Sequence, residues 1–142
     1  MVVHCSASPQ KQRVADILAY WKNVLGWKSP GYHVLVEPDG TAHELASIDE
    51  VTNGVKGFNA NSLHISYIGG VDPEGRPIDN RTPQQKATIL RYLKAWKLKF
   101  PKAKIQGHRD FSPDKNVNGR VDKWERIKEC PCFDAIPEYV HL

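Results

Sequence analysis

The order in which two hydrophobic periodicities alternate constrains this chain's fold more than any other feature. Met1–Ser6 (MVVHCS) is rich in β-branched residues and reads as a strand, with His4 on the face opposite Val3 and Cys5. Val14, Ile17, Leu18, Trp21, Val24 and Leu25 then recur at helical spacing, with Ser8 as the expected N-cap, Pro9 at the first helical position and Gly26 as the stop. Pro30 and Gly31 lead into YHVLVE, and Asp39-Gly40 turns that strand back into TAHELA. This is a hairpin, because Asp-Gly supplies the positive φ of a short turn. LHISYIGG at 63–70 reads as a central strand. Thr82-Pro83-Gln84-Gln85 opens a second helix with a capping box, and Ala87, Leu90, Leu93, Trp96 and Phe100 give it an apolar stripe. A last strand at 103–107 precedes a polar loop and a short helix. The order β-α-β-β-β-α-β-α predicts an α/β fold, a central mixed β-sheet flanked by helices.

The 142 residues fit a single domain over 1–142 with little room for a second. No apolar run approaches roughly 18 residues, so no transmembrane helix is expected. The N-terminal decapeptide lacks a basic region followed by an apolar core, so it is no signal peptide and synthesis in the cytoplasm is expected. A net charge of +4 favours approach to an anionic polymer without choosing between nucleic acid and cell wall. There is no Lys/Arg block of the kind that marks a nucleic-acid arm. Three cysteines are too few for a disulfide scaffold, and Cys130 and Cys132 are too close in sequence to bridge without strain. Reduced thiols or a metal ligand remain.

Of six histidines, His43 and His141 read as solvent-facing or structural. His64, mid-strand, reads as a packed residue or one that supports a ligand. His4, His108 and Cys130 sit at strand or helix ends where a site can converge. Three nitrogen and sulfur ligands with one open position are what a catalytic zinc needs. Such a zinc lowers the pKa of its water to roughly 7. On spacing alone the proposal is weak, because neither HExxH nor paired CxxC is present.

The motifs in order strengthen it. VVHCSAS at the N-terminus, GYHVLVEPDGT at 31–41, KGFNANSLHISYIGG at 56–70, the isolated Gly107-His108 and KECPCFD at 128–134 together resemble the zinc-dependent N-acetylmuramoyl-L-alanine amidases. Within them the match is to the phage-lysozyme type of the type 2 amidases, whose fold animal peptidoglycan recognition proteins share. The resemblance covers residues 2 to about 134. It implies zinc ligands at His4, His108 and Cys130, a tyrosine facing the reacting water at Tyr32, and an essential lysine at Lys128. It implies a hydrolase for the amide bond between N-acetylmuramic acid and L-alanine, a compact phage or prophage endolysin that reaches the wall after release. The partner is then bacterial peptidoglycan, with no nucleic acid, no membrane and a monomeric chain. A purely recognising member of the fold is expected to lack a ligand, typically the cysteine, whereas Cys130 is present. One departure stands out. The phage pattern carries a histidine-bearing segment before K-G-[YF]-N, and this chain reads Asn53-Gly54-Val55 there.

A second motif lies between His108 and Cys130. Residues 114–125 fit the calcium-loop pattern D-x-[DN]-x-[DN]-G-x5-E at every specified position. Asp114, Asn116 and Asn118 offer side-chain oxygens, Arg120 a backbone carbonyl, Asp122 a contact through water and Glu125 a bidentate carboxylate, with Gly119 at the sharp turn. Pro113 leaves no helix before the loop, so a structural calcium rather than a paired regulatory hand is expected. It would brace the helix presenting Lys128 and Cys130. Two other readings remain: a non-catalytic peptidoglycan-binding module and a calcium-dependent adaptor.

Overall fold

The computed structural model describes residues 1–142. Its strands are β1 (Val2–Cys5), β2 (Val34–Val36), β3 (Ala42–Glu44), β4 (His64–Tyr67) and β5 (Gln106–Gly107). Its helices are α1 (Val14–Asn23), α2 (Pro83–Lys99) and α3 (Ala135–Glu138). The strands form one sheet in the order β3-β2-β4-β1-β5, with β4 at the centre. β1 runs parallel to β4 and β5, and β2 parallel to β4, while β3 returns antiparallel to β2 across the Asp39-Gly40 turn. The sheet is mixed, as expected.

Strand alternation divides the sheet into two unlike faces. Val3, Cys5, Val34, Val36, Ile65 and Tyr67 point to α2, whose Ile89, Leu93 and Trp96 complete the main core. Leu35 points the other way and packs with Ile68 beneath Ile17 and Trp21 of α1. Register sets His4 against Ser66 and Ser66 against Leu35, so the polar residues of β1 and β4 lie on this second face. The short α1 covers only its β2 side, which leaves the β1 side to build a site.

The first helix begins at Val14, not Pro9, because the Ser8 backbone N–H is taken by Gly69 O at 3.2 Å. Arg13 occupies the N-cap, and the helix ends at Asn23, ahead of Gly26. On α2 the buried positions are Gln85, Thr88, Ile89, Leu93 and Trp96, while Ala87 and Phe100 are exposed. The stripe was hidden because two polar residues face inward. Gln85 Nε2 donates to Val36 O and Ile68 O at 3.2 and 3.0 Å, and Thr88 Oγ1 donates to Gly40 O at 2.8 Å. The capping box itself forms, with both Thr82–Gln85 hydrogen bonds at 3.0 Å.

Contrary to expectation, no α-helix forms between His108 and Cys130. Lys123–Glu125 makes a single 3-10 turn, and Arg126 is already extended. The Glu125 carboxylate turns inward to accept backbone N–H groups, and Pro131 disfavours helix at Cys130. Lys128 and Cys130 therefore sit on irregular chain, and the final helix, α3, follows the cysteine. The last strand is also short: only Gln106 and Gly107 pair, leaving 103–105 outside the ladder.

Candidate active site

The pairing of β1 with β5 sets Val3 against Gly107, which brings His108 beside His4. Gly107 N–H donates to Asp110 Oδ2 at 2.7 Å, turning the chain into a 3-10 turn that aims His108 inward. A Cβ at Gly107 would lie 2.5 Å from Pro131 Cδ, so glycine lets the cysteine loop close over this strand end. Two non-local bonds hold that loop: Arg109 N–H donates to Cys130 O at 2.8 Å, and Tyr67 Oη donates to Pro131 O at 2.7 Å.

The result is a three-atom cluster. His4 Nδ1 and His108 Nδ1 are 3.2 Å apart, Cys130 Sγ is 3.8 Å from His4 Nδ1, and all three ligand atoms lie within 4.8 Å of one another. A tetrahedral zinc with its usual bond lengths separates such ligands by roughly 3.3–3.8 Å. The donor set fits zinc in spacing and in kind.

Its electrostatics fit as well. Burial, with the charge of Lys128 nearby, lowers His108 to about 4. Burial and then its histidine neighbours hold His4 well below the usual imidazole range. Both rings are therefore neutral at neutral pH, the form that binds metal. Cys5 N–H donates to Cys130 Sγ at 3.2 Å, which helps to fix that sulfur beside His4. Hydrogen bonding to Cys130 and burial push the Cys5 thiol itself up to about 12, so that side chain is a core group.

Tyr32 and Lys128 flank the cluster. The Tyr32 ring lies 4.8 Å from the His4 ring, and its hydroxyl donates to Cys5 O at 3.4 Å. Burial, reinforced by the nearby Cys130, raises its pKa, so it stays protonated. Both residues line a cleft of about 380 Å³ that reaches His108. Asn53, Gly54, Val55, Lys56 and Phe58, from the loop between β3 and β4, line it. Phe111 and Ile127 also line the cleft, and Phe58 and Phe111 meet edge to face at 4.8 Å. This aromatic pair was not foreseen. No periodicity links residues on two loops, and only their places within KGFN and GHRDF mark them.

The remaining sequence candidates divide cleanly. His43 pairs with Glu37, and His141 is exposed, so neither approaches the cluster. His64 is buried beside His4, with His64 Nδ1 2.9 Å from His4 Nε2. In the 114–125 loop, Asp114 Oδ2 accepts from Gly119 N–H at 2.8 Å and Asn116 Oδ1 from Asn118 N–H at 3.2 Å. Asn118 Oδ1 accepts from Arg120 N–H at 3.0 Å. The buried Glu125 accepts from Lys115, Asn116 and Asp122 N–H groups at 2.7, 3.1 and 2.7 Å. Asp122 Oδ2 accepts from the Asn116 and Asn118 amides at 2.9 and 2.8 Å. The loop thus closes on its own oxygens, apart from the zinc-type cluster.

The arrangement brings two histidine nitrogens and a cysteine sulfur together at the edge of a mixed sheet, a donor set that could hold a metal ion. The sequence profile of the N-acetylmuramoyl-L-alanine amidase family matches residues 1–132, and the chain belongs to that family. It is 34% identical over 133 residues to an endolysin of Enterobacteria phage K11, covering 93% of this chain and 88% of the relative. The endolysin of Escherichia phage T7 is 32% identical over 135 residues, covering 93% and 79%. Among solved structures, the Ph2119 endolysin from a Thermus scotoductus bacteriophage superposes with a TM-score of 0.68 at 26% identity, covering 92% of this chain and 74% of that one. Apis mellifera PGRP-SA shares the fold, with a TM-score of 0.72 at 16% identity over 96% and 78% of the two chains. The protein is a peptidoglycan amidase, an enzyme rather than an adaptor. No helix is long and apolar enough to cross a membrane.

Proposed function

We propose that the enzyme cleaves the amide between N-acetylmuramic acid and L-alanine with a zinc ion held by His4, His108 and Cys130. The convergence of those three ligand atoms at the end of a loop-walled cleft carries this reading. When bound, zinc would supply Lewis-acid activation of water and of the scissile carbonyl. The protein's own groups supply the rest. Tyr32 Oη, kept protonated by burial, orients the attacking water and holds a proton beside it. The Lys128 ammonium, exposed on the cleft wall, stabilises the negative charge that develops on the carbonyl oxygen. Phe58, Phe111 and Ile127 give the same cleft an apolar lining.

The named relatives support a role as a phage or prophage endolysin that acts on the wall once released; the chain is further proposed to act as a monomer. The domain spans the whole chain, and its 114–125 loop holds a structural calcium through Asp114, Asn116, Asn118, Arg120, Asp122 and Glu125. An oxygen-only donor set in the spacing of a twelve-residue calcium loop supports that assignment. With no helix behind Glu125, such a calcium would brace the irregular segment that carries Lys128 and Cys130. Metal analysis of the purified protein, paired with wall hydrolysis before and after chelation, tests both ions. One zinc per chain with activity restored by zinc supports the reading, and full activity in metal-free protein would overturn it.

A further inference from the structure

A buried histidine occupies the space behind the cluster. His64 stands on β4, opposite Val2 of β1, and is wholly buried. Its Nδ1 lies 2.9 Å from His4 Nε2, on the side of the His4 ring away from Cys130 and His108. Its other nitrogen, Nε2, is buried without any hydrogen-bond partner. A histidine kept only for packing gains nothing from a single hydrogen bond aimed at a ligand ring while its second nitrogen goes unpaired.

The ring is fixed on its other sides. The His64 backbone N–H donates to His33 Nδ1 at 3.0 Å, so His33 carries its proton on Nε2 and donates to Glu50 O at 3.0 Å. The His33 ring stacks against His64 at 5.9 Å with an interplanar angle of 19°. Gly54 closes the cleft side, where a Cβ would fall 2.2 Å from His64 Nδ1. Glycine at 54 and histidine at 64 are thus sterically linked: the missing side chain leaves room for the imidazole.

We propose that His64 is a positioning residue for His4, accepting the His4 Nε2–H and thereby fixing His4 as an Nδ1 ligand. The inference rests on the reading of His4 as a zinc ligand. A neutral imidazole that ligates through Nδ1 carries its proton on Nε2, and that proton needs an acceptor in a buried site. His64 Nδ1 is the acceptor in reach, which places the His64 proton on its unpartnered Nε2. Partners of this kind orient a ligand ring and raise its basicity, and losing one lowers metal affinity roughly 10–100-fold.

Zinc affinity, measured by competition with a fluorescent chelator, tests this without reference to turnover. His64→Phe should weaken zinc binding by about 10–100-fold. His64→Gln, whose Oε1 can still accept from His4 Nε2, should recover most of it. Equal zinc affinity in the wild type and His64→Phe overturns the proposal while leaving the zinc reading intact. A wild type that takes up no zinc overturns both. If His64→Phe fails to fold, nitrogen-15 spectra of the zinc-loaded wild type decide the matter. A protonated His4 Nε2 facing an unprotonated His64 Nδ1 is expected, and a proton on His64 Nδ1 contradicts it.

Discussion

His4 Nδ1 and His108 Nδ1 lie 3.2 Å apart although 104 positions separate the residues along the chain. One ladder contact, Val3 against Gly107, creates that proximity, and the cysteine loop then closes the third side. Removing any one of the three donors should remove the metal. His108→Ala and Cys130→Ser are each expected to purify with less than one zinc per chain and to lose hydrolysis. Stoichiometric zinc in either variant, measured by elemental analysis, would speak against the ligand set.

Lys128 and Tyr32 should separate from the ligands in their behaviour. Lys128→Met is expected to keep zinc and melt like the wild type, since the side chain is exposed, while kcat falls on the order of 10²–10³-fold. Tyr32→Phe should likewise retain zinc, with a fall of about 10²-fold or more. Zinc titration beside steady-state rates distinguishes these from a ligand loss, and unchanged rates would exclude the assigned roles.

Acid should destabilise the metal-free protein over a defined window. The folded state holds His108 near 4 and His64 near 3, both below the ordinary value of 6.5. Between these limits the unfolded chain binds protons that the folded chain refuses, so stability is whole above about 6.5 and is lost as pH falls through 4. Thermal melts in metal-free buffer should show the melting temperature dropping across that range. His108→Ala should flatten the slope, and a wild-type profile that is already flat would refute the coupling.

Much of this was legible in the sequence, and the unread parts share a cause. The Asp39-Gly40 hairpin and the Thr82–Gln85 capping box are local devices, and each formed as expected. The start of α1 was misplaced because the Ser8 backbone was engaged by Gly69, a partner that sequence spacing does not reveal. The α2 stripe was misplaced because Gln85 and Thr88 face inward to bond carbonyls of the sheet and its turn. The helix expected before Cys130 dissolved because Glu125 serves the preceding loop instead. His64 could be narrowed only to packing or support, since its bond to His4 joins two strands.

Calcium should act on stability first. Adding it to chelated protein at about 100 times its Kd is expected to stabilise the fold by roughly 2.7 kcal/mol. That corresponds to a rise of several degrees in melting temperature for a domain of this size. Asp114→Ala should abolish the rise, and calorimetry that finds no shift in the wild type would remove calcium from the account.

The most direct test of the central claim is mass analysis of the products formed from a defined muropeptide by zinc-loaded and by metal-stripped protein. A stem peptide with a free N-terminal alanine is expected from the loaded enzyme, none from the stripped enzyme, and its return on adding zinc. Cleavage at a glycosidic bond or within the peptide, or the same alanine product without metal, would contradict it.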